Sequence, residues 1–147
     1  MKICFDVNAV VYLFADEGFG FGATVAYDVA TIRKHEVMLP TSTLADISYI
    51  LHRRGIQGEE LDRCIGFLFE LFDVVDVNAS DAQRAFHNDM RDFEDAIIAE
   101  SAARHGADLI LTQNVKDFAA SPVPAISLED FCRIYTPEGY EYSEVML

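Results

Sequence analysis

The sequence predicts an α/β fold, a single doubly wound domain whose central parallel sheet of about four to five strands is flanked by helices. Three observations carry this expectation. Short apolar runs at residues 3–5, 36–39, 74–77, 109–112 and 123–126 alternate with longer amphipathic stretches, the order that builds β-α-β units and a parallel sheet. The run at 109–112 (Leu-Ile-Leu-Thr) is apolar almost throughout, as a strand covered on both faces needs to be. With 147 residues, 51% of them hydrophobic, the chain can bury one ordinary core and not two.

The elements follow in order. Residues 3–5 form a strand that runs into Asp6, and residues 8–14 read as helical. Gly18, Gly20 and Gly22 read as a mobile loop before a second helix that ends near Lys34. The strand at 36–39 is stopped by Pro40, and residues 41–54 carry Leu44, Ile47, Ile50 and Leu51 on one stripe with Gly55 as terminator. A further helix spans 58–72, carrying Leu61, Ile65, Leu68 and Leu71 or Phe72. After the strand at 74–77, Ser80 is a suitable cap for the next helix. Residues 93–105 are helical up to Gly106, and Ser127 to Asp130 opens a last short helix after the strand at 123–126. The domain is therefore expected over residues 1–135, with an acidic C-terminal tail at 136–147.

Composition narrows the function classes. A net charge of −14 excludes blanket attraction to phosphates, so any action on nucleic acid has to be local, with metal ions or a basic partner offsetting the acid charge. No run of about 18 apolar residues occurs, so no membrane span is expected. The start, with an acid after three apolar positions, reads as a strand and not a signal peptide. Cys4, Cys64 and Cys132 are scattered and odd in number, which argues against a disulfide framework or a cysteine zinc site and for thiols in a reducing cytoplasm.

In a parallel sheet the reactive site gathers beyond the carboxyl ends of the strands, near the switch in strand order. Four aspartates stand near such ends: Asp6 after the first strand, Asp46 one turn into the helix after the second, Asp95 at the start of the helix before the fourth, and Asp117 after the fourth. Convergent carboxylates repel one another, and Mg2+ or Mn2+, hard cations that prefer carboxylate and water oxygens, relieve that repulsion. Such an ion lowers the pKa of its water and screens charge developing on a phosphodiester. The Asn8 amide is placed to orient a carboxylate or a water. Each acid also has a structural explanation. Thr43 to Asp46 resembles a capping box, Asp92 could cap the helix of Asp95, Asp6 to Asn8 could be an ordinary turn, and Asp117 a loop acid. Taken together, their common placement favours the site.

The order Ile3-Cys4-Phe5-Asp6-Val7-Asn8, Pro40-Thr41-Ser42-Thr43-Leu44, Asp92-Phe93-Glu94-Asp95-Ala96, Ala107 to Thr112 and Asn114 to Phe118 resembles a PIN domain. This is the nuclease fold of many VapC-type bacterial toxins, and the resemblance runs from Met1 to about Ile134. It implies that Asp6, Asp46, Asp95 and Asp117 form a Mg2+ or Mn2+ site that hydrolyses RNA, with the Thr112 hydroxyl supporting it from the strand end. One departure stands out, because the family's second acid is commonly glutamate and here it is Asp46. Glu94 adjoins Asp95 in sequence, so it is expected to point elsewhere on the helix.

Other residues rank lower. His35, His52, His87 and His105 share no ligand spacing and read as helix-end or surface residues; no nucleophile elbow supports a serine triad. Lys116 is the best candidate for a phosphate contact, with Arg53, Arg54 and Arg91 the other nearby cations. Phe67, Leu68 and Phe69 cannot all face one core, which points to self-association as a homodimer or to partner binding. The expectation is a cytoplasmic, metal-dependent endoribonuclease acting on RNA, with an antitoxin protein as partner. A catalytically silent PIN-fold interaction module is the alternative. A phosphatase with Asp6 as covalent nucleophile is weaker, because Asp6-Val7-Asn8 lacks the second aspartate such enzymes use as acid.

Overall fold

Strand residues point alternately to the two faces of a sheet, and here both faces are apolar. The computed structural model describes residues 1–14 and 19–141. It places β1 (Lys2–Phe5), β2 (Glu36–Pro40), β3 (Asp73–Val75), β4 (Leu109–Leu111) and β5 (Ala125–Ile126) in one all-parallel sheet of order β3-β2-β1-β4-β5. Ile3, Phe5, Leu39 and Leu111 enter one buried cluster, whereas Cys4, Met38 and Ile110 enter the other. The expected fold class is therefore found, with five strands and helices on both faces.

The described helices are α1 (Val7–Val11), α2 (Phe19–Ile32), α3 (Thr41–Arg53), α4 (Gly58–Leu71), α5 (Ala79–His87), α6 (Phe93–Arg104) and α7 (Leu128–Tyr135). Gly55 and Gly106 follow α3 and α6 with φ of +90° and +76°, the left-handed turn that stops a helix and that glycine adopts without strain. No helix among the described residues is long and apolar enough to cross a membrane.

Two local expectations are corrected. Gly20 and Gly22 lie inside α2 and do not form a loop; Gly18 lies outside the described residues. Tertiary burial overrides the low helix propensity of glycine here, since Ala23, Ala26, Val29 and Ala30 of α2 are all buried. The cap of α5 is Asn78 and not Ser80. The Asn78 side chain accepts from the Asp81 amide at 2.9 Å, and the Asp81 carboxylate accepts from the Asn78 amide at 3.0 Å. That reciprocal pair satisfies two end groups, which Ser80 cannot do.

Asp81 does more than cap. It is fully buried, yet it receives Arg84 at 2.5 Å and Arg104 at 2.9 Å. Arg104 also reaches Asp76 at 3.0 Å, and Arg84 reaches Glu100 at 3.3 Å, so one polar network joins α5, α6 and the chain just after β3. Beyond α7 the Tyr140 hydroxyl donates to Asp28 of α2 at 2.6 Å, which returns the start of the acidic segment onto the domain.

The chain leaves β1 outward to β2 and β3, then returns to lay β4 on the other side of β1. Strand order thus reverses between β1 and β4, and that switch point opens a crevice at the carboxyl edge of the sheet.

Candidate metal centre

β1 ends at Phe5, so Asp6 emerges at the carboxyl edge and caps α1. Its Oδ1 accepts from the Val7 amide at 2.8 Å and its Oδ2 from the Thr112 hydroxyl at 2.8 Å. Thr112 follows β4, the neighbouring strand, and is fully buried. Its Oγ1 also accepts from the Asn114 amide at 3.0 Å, at the entry to the short 3-10 turn Val115–Phe118 that carries Lys116 and Asp117.

The other acids arrive on helices. α3 starts directly after β2 and brings Asp46 from its second turn. α6 runs back toward the start of β4, so its N-terminus lies at the carboxyl edge and presents Glu94 and Asp95 from the first turn. Asp92 caps α6, accepting from the Asp95 amide at 3.0 Å, as one of the structural explanations anticipated. The capping box expected at Thr43 to Asp46 is absent. α3 begins at Thr41 behind Pro40, Thr43 is inside the helix, and its buried hydroxyl makes no hydrogen bond. Asp46 therefore has no capping duty.

A cleft of about 350 Å3 opens between these elements, lined by Asp6, Val7, Asn8, Asp46, Tyr49, Ile50, Glu94, Asp95 and Ile98. Three of the four expected aspartates and Asn8 thus meet there. Asp117 is exposed and stands beside the cleft, near enough for its charge to act on Asp6 and Asp95. Lys116 is exposed and Thr112 buried, and neither lines the cleft. Glu94 is the correction. It does not point elsewhere but lines the cleft beside Asp95, because the cleft straddles the first turn of α6, where consecutive side chains can flank one opening. Acids at 92, 94 and 95 in one first turn were the sequence signal for it.

The electrostatics follow from burial and crowding. Burial raises the Asp95 pKa, and the charges of Asp6, Asp92, Asp117 and Glu94 raise it further, to about 7. Burial likewise raises Asp6; the Thr112 and Val7 hydrogen bonds oppose that, and the Asp117 and Asp92 charges add to it. Asp46 is raised by burial and then by Glu94. Among the described residues no lysine, arginine or histidine lines the cleft to relieve this crowding. Among the described residues no three acids close on a point as a complete ligand cage. The donor set nonetheless fits a hard divalent cation. Every charged lining group is a carboxylate, with no imidazole or thiolate, and Mg2+ commonly takes one or two carboxylates and keeps several waters.

Fold and cleft together define a parallel α/β protein with an acidic centre at the carboxyl edge of its sheet. The chain belongs to the PIN domain family, whose model matches residues 2–116. Solved structures of similar fold include a toxin–antitoxin complex from Klebsiella pneumoniae at 19% identity, covering 86% of this chain and 97% of that one with a TM-score of 0.63. VapBC2 from Rickettsia felis, bound to a promoter DNA fragment, matches at 15% identity over 86% of this chain and 98% of its own, TM-score 0.60. The sarcin-ricin loop cleaving toxin VapC20 of Mycobacterium tuberculosis matches at 17% identity over 74% and 86%, TM-score 0.60. No curated protein sequence matches the chain.

Proposed function

We propose that this PIN domain is a divalent-metal-dependent endoribonuclease and the toxin of a toxin–antitoxin pair. The observation that carries the reading is the cleft in which Asp6, Asp46, Glu94 and Asp95 face one another with no cation among them. PIN domain nucleases generally use divalent metals, and toxins of known structure share this fold, which supports both halves of the proposal.

In this reading Asp6, Asp46, Asp95 and Asp117 hold Mg2+ or Mn2+, with Glu94 as a fifth carboxylate that can reach the ion directly or through water. When bound, the ion polarises the phosphodiester and lowers the pKa of water at the site. The chain's own residues supply alignment. Thr112 fixes one oxygen of Asp6 and leaves Oδ1 held, among the described residues, by the Val7 amide alone. The Asn8 amide lines the cleft with no hydrogen-bond partner among the described residues, so it can orient a water or a phosphate oxygen. Glu94, which lines the same cleft, would supply the reach that Asp46 lacks relative to glutamate. Lys116, exposed beside Asp117, contacts phosphate outside the cleft. The catalytic unit is residues 1–135, followed by the acidic tail at 136–147.

Apolar residues on the helix surface, notably Phe69 at 59% exposure next to buried Leu68, support a homodimer or a face for an antitoxin. The absence of a membrane-length helix among the described residues and the free cysteines accord with a cytoplasmic setting.

The charge of −14 and the short Asp46 favour a second reading, a catalytically silent PIN-fold interaction module. Incubation of the purified protein with a mixed RNA pool and Mg2+ or Mn2+, beside Asp6→Asn and Asp95→Asn variants, separates the two. The nuclease reading expects RNA loss with the unmodified chain alone; equal RNA survival in all three samples removes it. A metal-dependent rise in melting temperature that both variants lose tests the metal centre separately from turnover.

A further inference from the structure

Tyr49 lies one turn beyond Asp46 on α3 and lines the same cleft, yet 66% of its surface is exposed. Its ring and hydroxyl make no hydrogen bond or aromatic contact among the described residues. Val7, Ile50 and Ile98 also line the cleft, so apolar side chains stand among its carboxylates. Arg53 stands one further turn along α3, exposed and with no ion-pair partner among the described residues. Positions 46, 49, 50 and 53 follow the spacing that shares one face of a helix. From the acids outward, α3 therefore presents a carboxylate, an aromatic ring and a guanidinium over roughly two turns.

This order has a consequence for binding. No cation lines the cleft and the net charge is −14, so a polyanion gains nothing from the chain's field as it approaches. Affinity has to come from short-range contacts, and stacking of a base on an aromatic ring is one, since every base offers a π-face. A free ring can receive only a base that is not already stacked within a duplex, and A-form duplexes expose backbone and 2′-hydroxyls rather than base faces.

We infer that Tyr49 stacks an unpaired base of the bound RNA at the mouth of the acidic cleft and that Arg53 takes the phosphate of the adjoining nucleotide. The inference rests on the nuclease reading for its choice of polymer, and the test keeps the two apart.

The chain contains no tryptophan, so Tyr49→Trp installs a single indole at the cleft. With Mg2+ present, a single-stranded RNA pentamer quenches that indole on mixing. An abasic pentamer of equal charge and a blunt duplex do not. In steady-state cleavage Tyr49→Ala raises KM about tenfold with a smaller change in kcat, whereas Tyr49→Phe stays near the unmodified value because stacking needs no hydroxyl. Arg53→Gln lowers the salt slope of binding by about 0.7, the share of one phosphate contact on a single strand.

The quench decides. Equal quenching by the abasic pentamer overturns the inference. No response to any oligonucleotide overturns it too. If the unmodified chain cleaves RNA while the indole is silent, the stacking inference fails and the nuclease reading stands. If no RNA is cleaved but the base-dependent quench is seen, the nuclease reading fails and the single-strand platform remains.

Discussion

The Thr112 hydroxyl donates to Oδ2 of Asp6 at 2.8 Å, joining the ends of β4 and β1 beneath the acidic cleft. Both partners are buried, and the bond opposes the rise that burial imposes on the Asp6 pKa. Thr112→Val keeps the shape and deletes the donor. A hydrogen bond to a charged group contributes about 1.5–3 kcal/mol, so urea unfolding at neutral pH should show a loss in that range. The gain in melting temperature on adding Mg2+ or Mn2+ should shrink in the same variant, because Asp6 then favours its protonated form.

The raised acids predict how the metal-free chain responds to pH. A carboxyl whose folded pKa lies above its unfolded value binds more protons in the native state, so it stabilises the fold at low pH and that stabilisation is lost as pH rises. For Asp95 the window runs from about 4 in the unfolded chain to about 7 in the folded one. In the presence of a chelator, the melting temperature should fall between pH 5 and pH 8. Asp95→Asn should flatten that decline and raise the melting temperature at pH 8; an unchanged slope would show that the crowding lies elsewhere.

Asp81 titrates in the opposite sense. Burial alone would raise its pKa, but hydrogen bonds from Arg104 and the Asn78 amide and the charges of both arginines outweigh burial and hold it below the usual carboxylate range. Its contribution is present above an unfolded pKa of about 4 and is lost as pH falls through the depressed folded value. Arg104→Ala should destabilise the fold, because buried Asp81 then keeps only Arg84 and the Asn78 amide as partners. Chemical denaturation at pH 7 measures the loss, and a stability difference between variant and parent that narrows below pH 4 checks the sign.

Glu94→Gln tests the residue that the sequence reading set aside. Removing its charge should lower the pKa of both Asp46 and Asp95, since it raises each of them. Relieving that repulsion should raise the stability of the metal-free fold at neutral pH. If Glu94 reaches the ion, Mn2+ affinity by calorimetry should still fall roughly tenfold, the scale of a lost supporting ligand; undiminished affinity would reduce it to a bystander on the rim.

Why some of this was legible in the sequence and some was not is a matter of range. The strands announced themselves because burial on both faces forces near-continuous apolar runs, as at Leu109 to Leu111. Asp6 and Asp95 were readable because a strand end and a helix start are local signals. The glycines at 20 and 22 misled because their helix is held by packing on distant segments, with the buried alanines of α2 supplying the contact face. Asn78 and Ser80 were both competent caps, and only the reciprocal Asp81 bond distinguishes them. Glu94 could not be placed by helical angle alone, since the cleft spans the first turn of α6 instead of lying on one of its faces. The Asp81 network joins residues far apart in sequence and leaves no periodic trace.

The bond between Thr112 and Asp6 spans 106 positions. β1 receives β4 only after the segments between them have been synthesised. A ribosome-bound chain therefore carries Asp6 long before its supporting hydroxyl has emerged from the exit tunnel, and contacts of such long range form late. A fragment that ends before β4 holds Asp6 without the hydroxyl that fixes its Oδ2.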